Sequence, residues 1–382
     1  AKSFLLIKRL YNILNHHQVG VADELYKLLG KNYAFVVTTK FMHNKGAIED
    51  YSTRPYLVRS CETKKSSEKA MSLALNSEVC VFSGYGALPF EKARMRKGLF
   101  SFDMGERMLK RGWLNLTSPR ILKMLLSYHL GGWGKKPIYK LCCGGFVASD
   151  QYKLNTFKGK CYKWGYFTKV KNQKKRERFK LKQFNETVSL MWCARFIDWK
   201  HPELAVKLAK KLKVDGYNFQ LDMYGDGKMK STIQKLIDAF GLNDCVYLKG
   251  NVPNEQIQEA MANHDIFLFP SDKREGWGVV ANEAMSNKCC LVVSGEIGAV
   301  AYLVKEGVNG MVFKSKSVDS LYQQVKCLID HPAERMAIAE QGYQDMVSLW
   351  NPKHAAESLL TLIKDIQNGQ VTSIQEGPCS KA

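Results

Sequence analysis

The chain has 382 residues, 45% hydrophobic and 24% charged, a globular composition too long for one ordinary core, so two domains are expected. Fifty-seven Lys and Arg against thirty-six Asp and Glu leave a net charge of +21, which points to polyanionic partners: nucleic acid, an anionic membrane surface or phosphorylated substrates. No apolar run is long enough to span a bilayer, no secretory-type segment opens the chain, and the eleven Cys lack the spacing of a disulfide framework or a metal site, so a cytoplasmic protein with reduced, mostly buried thiols is expected.

In chain order, residues 4–7 read as a short apolar strand. A turn at Asn15-His16-His17-Gln18 follows, then a helix ending near Gly30, then a strand over 33–38. That is the βαβ opening of a parallel sheet. Ligands bind such sheets outside the carboxyl ends of the strands, so His16 and His17 are candidate ligand contacts; the alternative is one capping and one solvated histidine. A helix is expected over 67–75 and a strand over 78–82, followed by the tight Ser83-Gly84-Tyr85-Gly86 turn. Residues 99–102 are apolar, and a helix is expected to open at Asp103-Met-Gly-Glu106-Arg107.

Ser118-Pro119 begins a further helix, in which Ile121, Leu122, Met124, Leu125, Tyr128 and Leu130 recur at helical spacing. Arg120, Lys123, Trp133, Lys135, Lys136, Tyr139 and Lys140 surround them. Such a segment is either a core helix with a solvated edge or a basic helix lying in an anionic membrane interface. A strand over 145–148 and a helix from Ser149-Asp150 are expected next. Residues 169–187 form a basic linker; the run 169–182 is dominated by Lys and Arg and could bind nucleic acid, although no nucleic-acid-binding signature surrounds it.

The second half alternates regularly. Strands are expected at 189–193, 219–224, 245–248, 266–269 and 289–293. Helices are expected at 202–213, 229–240, 254–263, after Gly278, and at 317–330, 334–347 and 353–367, with a frayed tail beyond Gln367. This is a doubly wound parallel sheet. Its most informative stretch is Pro270-Ser-Asp-Lys-Arg-Glu275-Gly276-Trp277-Gly278-Val279-Val-Ala-Asn-Glu283. A strand ends, a Gly-punctuated turn follows and a helix begins, which offers backbone N–H groups to a phosphate. Glu275 and Glu283 flank that seat and suit a ligand that carries hydroxyls as well.

Glu275-Gly-Trp-Gly-Val-Val-Ala-Asn-Glu283 resembles the E-x7-E signature of glycosyltransferase family 4, retaining enzymes of the GT-B fold. Ala194-Arg195…Lys200, Tyr224-Gly225-Asp226-Gly227, Leu248-Lys-Gly250-Asn-Val252, Phe269-Pro270-Ser271 and Gly307-Val-Asn-Gly310 follow the family's order and spacing over roughly residues 188–330. The resemblance implies an α/β fold of two Rossmann-like, doubly wound parallel-sheet domains facing across a cleft. The acceptor-side domain would be 1–168 and the nucleotide-sugar domain 188–350, with 351–382 crossing back to the first.

It also implies roles. Arg195 and Lys200 would neutralise the donor diphosphate in place of a metal ion, so neither a metal nor a cofactor beyond the nucleotide-diphosphate sugar is expected. Glu283 would accept the ribose hydroxyls, and Glu275 would lie by the donor sugar. Gly276, Trp277, Gly278 and Val279 would seat the phosphates, and Gly225 and Val252 would border the base. His16 and His17 would meet donor phosphate or acceptor. No His occurs between His43 and His129, so either Asp103 or Glu106 would stand where many relatives place a catalytic His, or this branch of the family does without one.

Two departures fall near the donor. Ser286-Asn287-Lys288 replaces the usual Ala-Cys-Gly, and Tyr302 stands where a Glu is common. The expected activity is retaining transfer of a sugar from a nucleotide-diphosphate sugar to a glycan or lipid-linked acceptor in cell-surface polysaccharide synthesis, in the cytoplasm at the inner membrane face. Other readings are a basic nucleic-acid-binding protein, or a GT-B sugar-nucleotide epimerase or phosphorylase.

Overall fold

The computed structural model describes residues 6–12, 14–39, 51–131, 135–170 and 187–382. The chain divides into two compact units, one of residues 1–169 and 350–382 and one of residues 170–349. Most of the expected linker, 171–186, lies outside the described residues, as do residues 4–5 and Trp133.

The first unit runs β1 (Ile7–Tyr11), α1 (His16–Leu29), β2 (Tyr33–Val37), β3 (Leu57–Arg59), α2 (Lys64–Asn76), β4 (Val79–Phe82), α3 (Leu88–Arg96), β5 (Ser101–Gly105), β6 (Lys110–Trp113), α4 (Pro119–Leu130), β7 (Ile138–Cys143), α5 (Val147–Lys153) and β8 (Cys161–Trp164). The second runs β9 (Val188–Cys193), α6 (Pro202–Val214), β10 (Phe219–Tyr224), α7 (Lys230–Ala239), β11 (Val246–Gly250), α8 (Asn254–Asn263), β12 (Ile266–Phe269), α9 (Val280–Ser286), β13 (Cys290–Ser294), α10 (Val300–Leu303), β14 (Met311–Phe313), α11 (Val318–Asp330) and α12 (Pro332–Ser348). The last helix, α13 (Pro352–Gln367), belongs to the first unit.

Each unit is built on a parallel sheet. The first has the order β3-β2-β1-β4-β5-β7-β8 and the second β11-β10-β9-β12-β13-β14. These are two Rossmann-like α/β domains, the fold class that the sequence implies. The central strands of the second sheet, β9, β12 and β13, are nearly continuous apolar runs, as strands covered on both faces are. All eleven Cys are unpaired and eight are buried, where they pack as small apolar side chains.

The first unit departs from the sequence reading in several places. Its opening strand runs Ile7–Tyr11, so Lys8 and Arg9 are buried within it. Each has a partner that burial demands: Lys8 Nζ donates to the Asn32 carbonyl, and Arg9 donates to Gln18 Oε1 and lies over the Phe35 ring. No helix opens at Asp103. That residue lies in β5, in register with Lys140 of β7, whose Nζ is 2.8 Å from Asp103 Oδ1. A cross-strand ion pair and Gly105 favour the sheet over the expected helix. The strand expected at 145–148 is instead Ile138–Cys143. Gly144, at φ +123°, ends it before α5 starts at Val147.

The tail beyond Gln367 is pinned rather than frayed. Cys379 is fully buried, its N–H donates to the Lys163 carbonyl, and the Ser380 carbonyl accepts from Lys163 N–H beside β8.

Candidate active site

In the six-stranded sheet the strand order reverses at β9, whose neighbours are β10 and β12. An open α/β sheet leaves a crevice there, outside the carboxyl ends of the strands. Two predicted segments meet at this point. Ala194-Arg195 and the turn Asp198–Lys200 follow β9, and the stretch from Pro270 to Val279 follows β12.

Glycines of a third segment shape the crevice. Gly225 lies beyond β10 at φ +124°, and a Cβ there would fall 1.9 Å from the Ala194 carbonyl oxygen. Gly227, at φ +153°, lies as close to Phe196: a Cβ would be 2.6 Å from its carbonyl oxygen. Only glycine permits both the conformation and the approach. The Ala194 and Phe196 N–H groups donate to the Tyr224 and Asp226 carbonyls. The Gly-Asp-Gly turn therefore holds the Arg195 loop by its backbone, a role the sequence reading did not assign to Gly225. Val252 is half-buried between β11 and α8, two residues from Asn254.

Lys200 Nζ forms an ion pair with Glu275 Oε2 and lies 5.7 Å from the centre of the Phe269 ring. Arg195 is exposed, with its guanidinium 5.8 Å from the centre of Trp199. Beneath them is a network that sequence reasoning missed. Asp272 accepts from the backbone and guanidinium of Arg274 and lies against His201 Nε2, and Arg274 also donates to Asp198. Burial opposes ionisation of Asp272, but the bonds from Arg274 and His201 prevail and hold its carboxyl down at about 2. The turn that carries Glu275 is thus tied by charge-assisted bonds to the turn that carries Lys200.

Glu283 stands on α9, only 8% exposed. Burial pushes its carboxyl up to about 7, against the opposing effect of hydrogen bonds from Asn254 and Gln258. Asn254 Nδ2 is 3.3 Å from Glu283 Oε1, Gln258 donates to Asn254, and Asn287 donates to Gln258 and to the Glu283 carbonyl. Asn287 belongs to the triplet that departs from the family pattern. The Cys193 thiol, at the end of β9, is pushed up to about 12 by burial, with Glu283 raising and Lys200 lowering it. Glu283 and Lys200 therefore lie within electrostatic reach of the same strand end.

Trp277 does not serve as a surface for ligand. Its indole is fully buried, donates to Asn282 Oδ1 at 2.9 Å and packs near Tyr302. Gly278, at φ +90°, is required because a Cβ would meet Phe269 at 2.7 Å. Gly276 is buried and Val279 half-buried in the same turn, and α9 behind them is only seven residues long.

The seven-stranded sheet has its own reversal, at β1 between β2 and β4. His16 and His17 form the first turn of α1 rather than the turn before it, because Asn15 caps the helix by accepting from the His17 N–H. Their rings are 3.6 Å apart, and His17 lies 5.8 Å from Tyr166. Burial first, then His16, lowers the His17 imidazole to about 3, and its Nδ1 finds no partner among the described residues. Gly84, after β4, lies against the Asn12 side chain after β1. Glu106 follows β5 and accepts from Tyr166 at 3.0 Å. Asp103 is buried inside the sheet, its two oxygens engaged by Lys140 and Tyr128. Glu106 is also engaged at both oxygens, by Tyr166 and Lys110, but it is only half-buried, which leaves it the more accessible of the two acids.

Arg195, Lys200, Glu275 and Glu283 are thus brought to one strand end, while His16, His17 and Glu106 belong to the other sheet. Among the described residues, Cys327, His331 and Glu334 converge as potential metal ligands at the α11–α12 corner, on elements that carry none of the predicted site residues.

Residues 173–345 match the family described as glycosyl transferases group 1. An alpha-D-kanosaminyltransferase of Streptomyces kanamyceticus is 25% identical over 221 residues, 58% of this chain and 53% of that protein. The amylovoran biosynthesis glycosyltransferase AmsK of Erwinia amylovora is 30% identical over 142 residues, 35% of each chain. The chain spans about half or less of the length of these curated relatives. Among solved structures, Anabaena HepE in complex with UDP superposes with a TM-score of 0.71 at 13% identity, over 94% of this chain and all of that one. A sucrose-phosphate synthase of Thermosynechococcus elongatus gives 0.67 at 13% identity, over 95% of this chain and all of that one. These likenesses extend the fold match to both units.

Proposed function

We propose that this chain, whose residues 173–345 match the glycosyl transferases group 1 family, moves a sugar from a nucleotide-diphosphate sugar to a glycan or lipid-linked acceptor with retention at the anomeric carbon. The observation that carries the reading is the meeting of Arg195, Lys200 and Glu275 at the carboxyl ends of β9 and β12, with Glu283 behind them. Two cations at a sheet crevice suit a diphosphate. A buried carboxyl with one side lined by amides suits a vicinal diol. The UDP complex of HepE supports a nucleotide-diphosphate donor, and the name of AmsK, an amylovoran biosynthesis glycosyltransferase, supports a place in glycan biosynthesis.

In the reaction, the bond between the anomeric carbon and the diphosphate oxygen breaks, and its electron pair leaves with the phosphate. The acceptor hydroxyl oxygen bonds to the same face of the sugar, and its proton passes to the departing phosphate oxygen. Negative charge builds on the diphosphate, where Arg195 and Lys200 stabilise it without a metal ion. Positive charge builds on the ring, where Glu275, held by Lys200, offsets it. Glu283 fixes the ribose. The seven-stranded unit takes the acceptor.

The test is Arg195→Ala. Because Arg195 is exposed, the fold should survive. Affinity for a nucleotide diphosphate should fall by about a hundredfold, the cost of removing one partner of a close charge pair. Transfer should fall at least as far. Calorimetry with UDP and with GDP reads the first effect; unchanged affinity for whichever binds rejects the assignment.

A further inference from the structure

We infer that α4 and the turn before it form a docking face for an anionic lipid surface. The helix divides its apolar residues between two sides. Ile121, Met124, Leu125 and Tyr128 pack into the core of the first unit. Leu122, Leu126 and Leu130, at i, i+4 and i+8, form a stripe on the other side and are 44%, 55% and 82% exposed. Trp113, the last residue of β6, and Leu114, in the turn that leads from it to α4, are more than half exposed as well. Exposed single leucines are ordinary, but five large apolar side chains within eighteen residues are a patch.

The charge around the patch names its partner. Between Glu106 and Asp150 the sequence has no acidic residue and eight Lys or Arg. Arg107, Lys110 and Lys140 are paired with Asp150, Glu106 and Asp103. Arg111, Arg120, Lys123, Lys135 and Lys136 make no ion pair among the described residues. Arg120 and Lys123 lie on α4 itself, both over the exposed ring of Tyr85. An apolar stripe on a helix whose Lys and Arg are Arg120 and Lys123, with no acid on that helix and the Tyr85 ring beneath its two cations, matches the boundary between acyl chains and anionic headgroups. A second copy of the chain fits less well, since it would set these cations against their equivalents. A nucleic acid would leave the leucine stripe without a role. Among the described residues no helix is long and apolar enough to cross a membrane, so the face would rest on the surface rather than span it. The inference stands on surface chemistry alone and does not depend on the proposed reaction.

Co-sedimentation with vesicles tests it, using one set of phosphatidylglycerol mixed with phosphatidylcholine and one of phosphatidylcholine alone. The wild-type protein should pellet with the first set in preference to the second, and high salt should weaken the preference. Each cation near such a surface is worth about fivefold in partitioning, so Arg120→Glu with Lys123→Glu should weaken binding at least twenty-five-fold, as an order of magnitude. Leu126→Glu with Leu130→Glu should weaken it by about tenfold or more, at either salt level. These four side chains are exposed, and matching thermal melts will show that the variants are folded. Equal pelleting with both vesicle sets would overturn the inference without any variant. So would folded variants that bind as the wild type does. A salt-resistant dimer in sedimentation velocity, dissolved by the Leu126 and Leu130 changes, would show the face to be self-associating and would equally overturn it.

Discussion

The two sheets share one plan and differ in what stands at their strand ends. Each is parallel, and each reverses strand order at its first strand. At the reversal in the six-stranded sheet stand Arg195 and Lys200, with Glu275 as the counter-charge of Lys200. At the reversal in the seven-stranded sheet stand a neutral His17, Asn12 and, after a neighbouring strand, Glu106 bonded to Tyr166. The topology supplies a crevice in both cases, and the side chains give the two crevices different tasks. Under the proposed function the crevice of the six-stranded sheet would neutralise a dianion, and the other would offer hydrogen bonds with little net charge. The strands themselves differ too: those of the first unit bury Lys8, Arg9, Asp103 and Lys140, whereas among the described residues Asp222 is the one buried charge in the strands of the second.

The largest effect that would break this contrast is in the second unit and involves no charge. Gly225→Ala puts a methyl group 1.9 Å from the Ala194 carbonyl in a conformation that alanine resists. The 194–196 segment must move, and Arg195 with it. A loss of about 3 kcal/mol or more in unfolding free energy is expected, together with loss of nucleotide-diphosphate affinity. Chemical denaturation followed in parallel with calorimetry measures both. Stability and affinity equal to those of the wild type would mean that the Gly-Asp-Gly turn does not hold the cationic loop.

Glu283→Gln should separate function from stability. Burial raises the Glu283 carboxyl from 4.5 to about 7. Below about pH 4.5 the group is protonated in both folded and unfolded chains, and its contribution to stability is fully present. As pH rises from there the unfolded chain ionises first, so the contribution is lost until the folded group also ionises near pH 7. Above pH 7 the folded state carries a cost of about 3 kcal/mol that a glutamine would not. The variant should therefore be more stable than the wild type at pH 8, and nearly equal to it at pH 4. Its nucleotide affinity should fall by about tenfold or more, because the amide cannot accept both ribose hydroxyls as a carboxylate does. In the wild type, affinity should rise with pH through 7. Denaturation midpoints at several pH values would test the first part. A variant less stable than the wild type at pH 8 would contradict the assigned burial cost.

How legible each unit was in the sequence follows from its chemistry. In the second, apolar strands alternate with amphipathic helices, and α8 was placed at its true ends, 254–263. The residues that meet at its strand end, Arg195, Lys200, Glu275 and Glu283, were all named from spacing and resemblance. What stayed hidden there was the support: Asp272, Arg274 and His201, and the amides of Asn254, Gln258 and Asn287. Polar residues on different elements carry no periodic signal, and their pairing exists only once the chain is folded. In the first unit the strands expected at 33–38 and 78–82 were found, but β1 and β5 were misread, because Arg9 pairs with Gln18 and Asp103 with Lys140, partners nine and thirty-seven residues away. A buried charge looks exposed to any reading that scores residues one at a time. The tail was misread for the opposite reason. It is polar and short of hydrophobic residues, yet backbone bonds to β8 and the buried run 377–380, with Cys379 in it, fix it.

The smallest expected effect sharpens the contrast from the other side. His17 is held at about 3 by burial and by the neighbouring His16, so it is neutral across the range in which a free histidine titrates. If the first crevice works by hydrogen bonding, His17→Ala should raise the KM for the acceptor by roughly fivefold to tenfold, the worth of one net hydrogen bond. It should leave nucleotide-diphosphate affinity unchanged. The pH profile of kcat/KM should keep its shape, because the group lost carried no titration in that range. Calorimetry and initial rates at varied acceptor concentration separate the two readings of this residue. An equal loss in nucleotide affinity would move His17 to the donor phosphate, and the division of labour between the two crevices would then no longer hold.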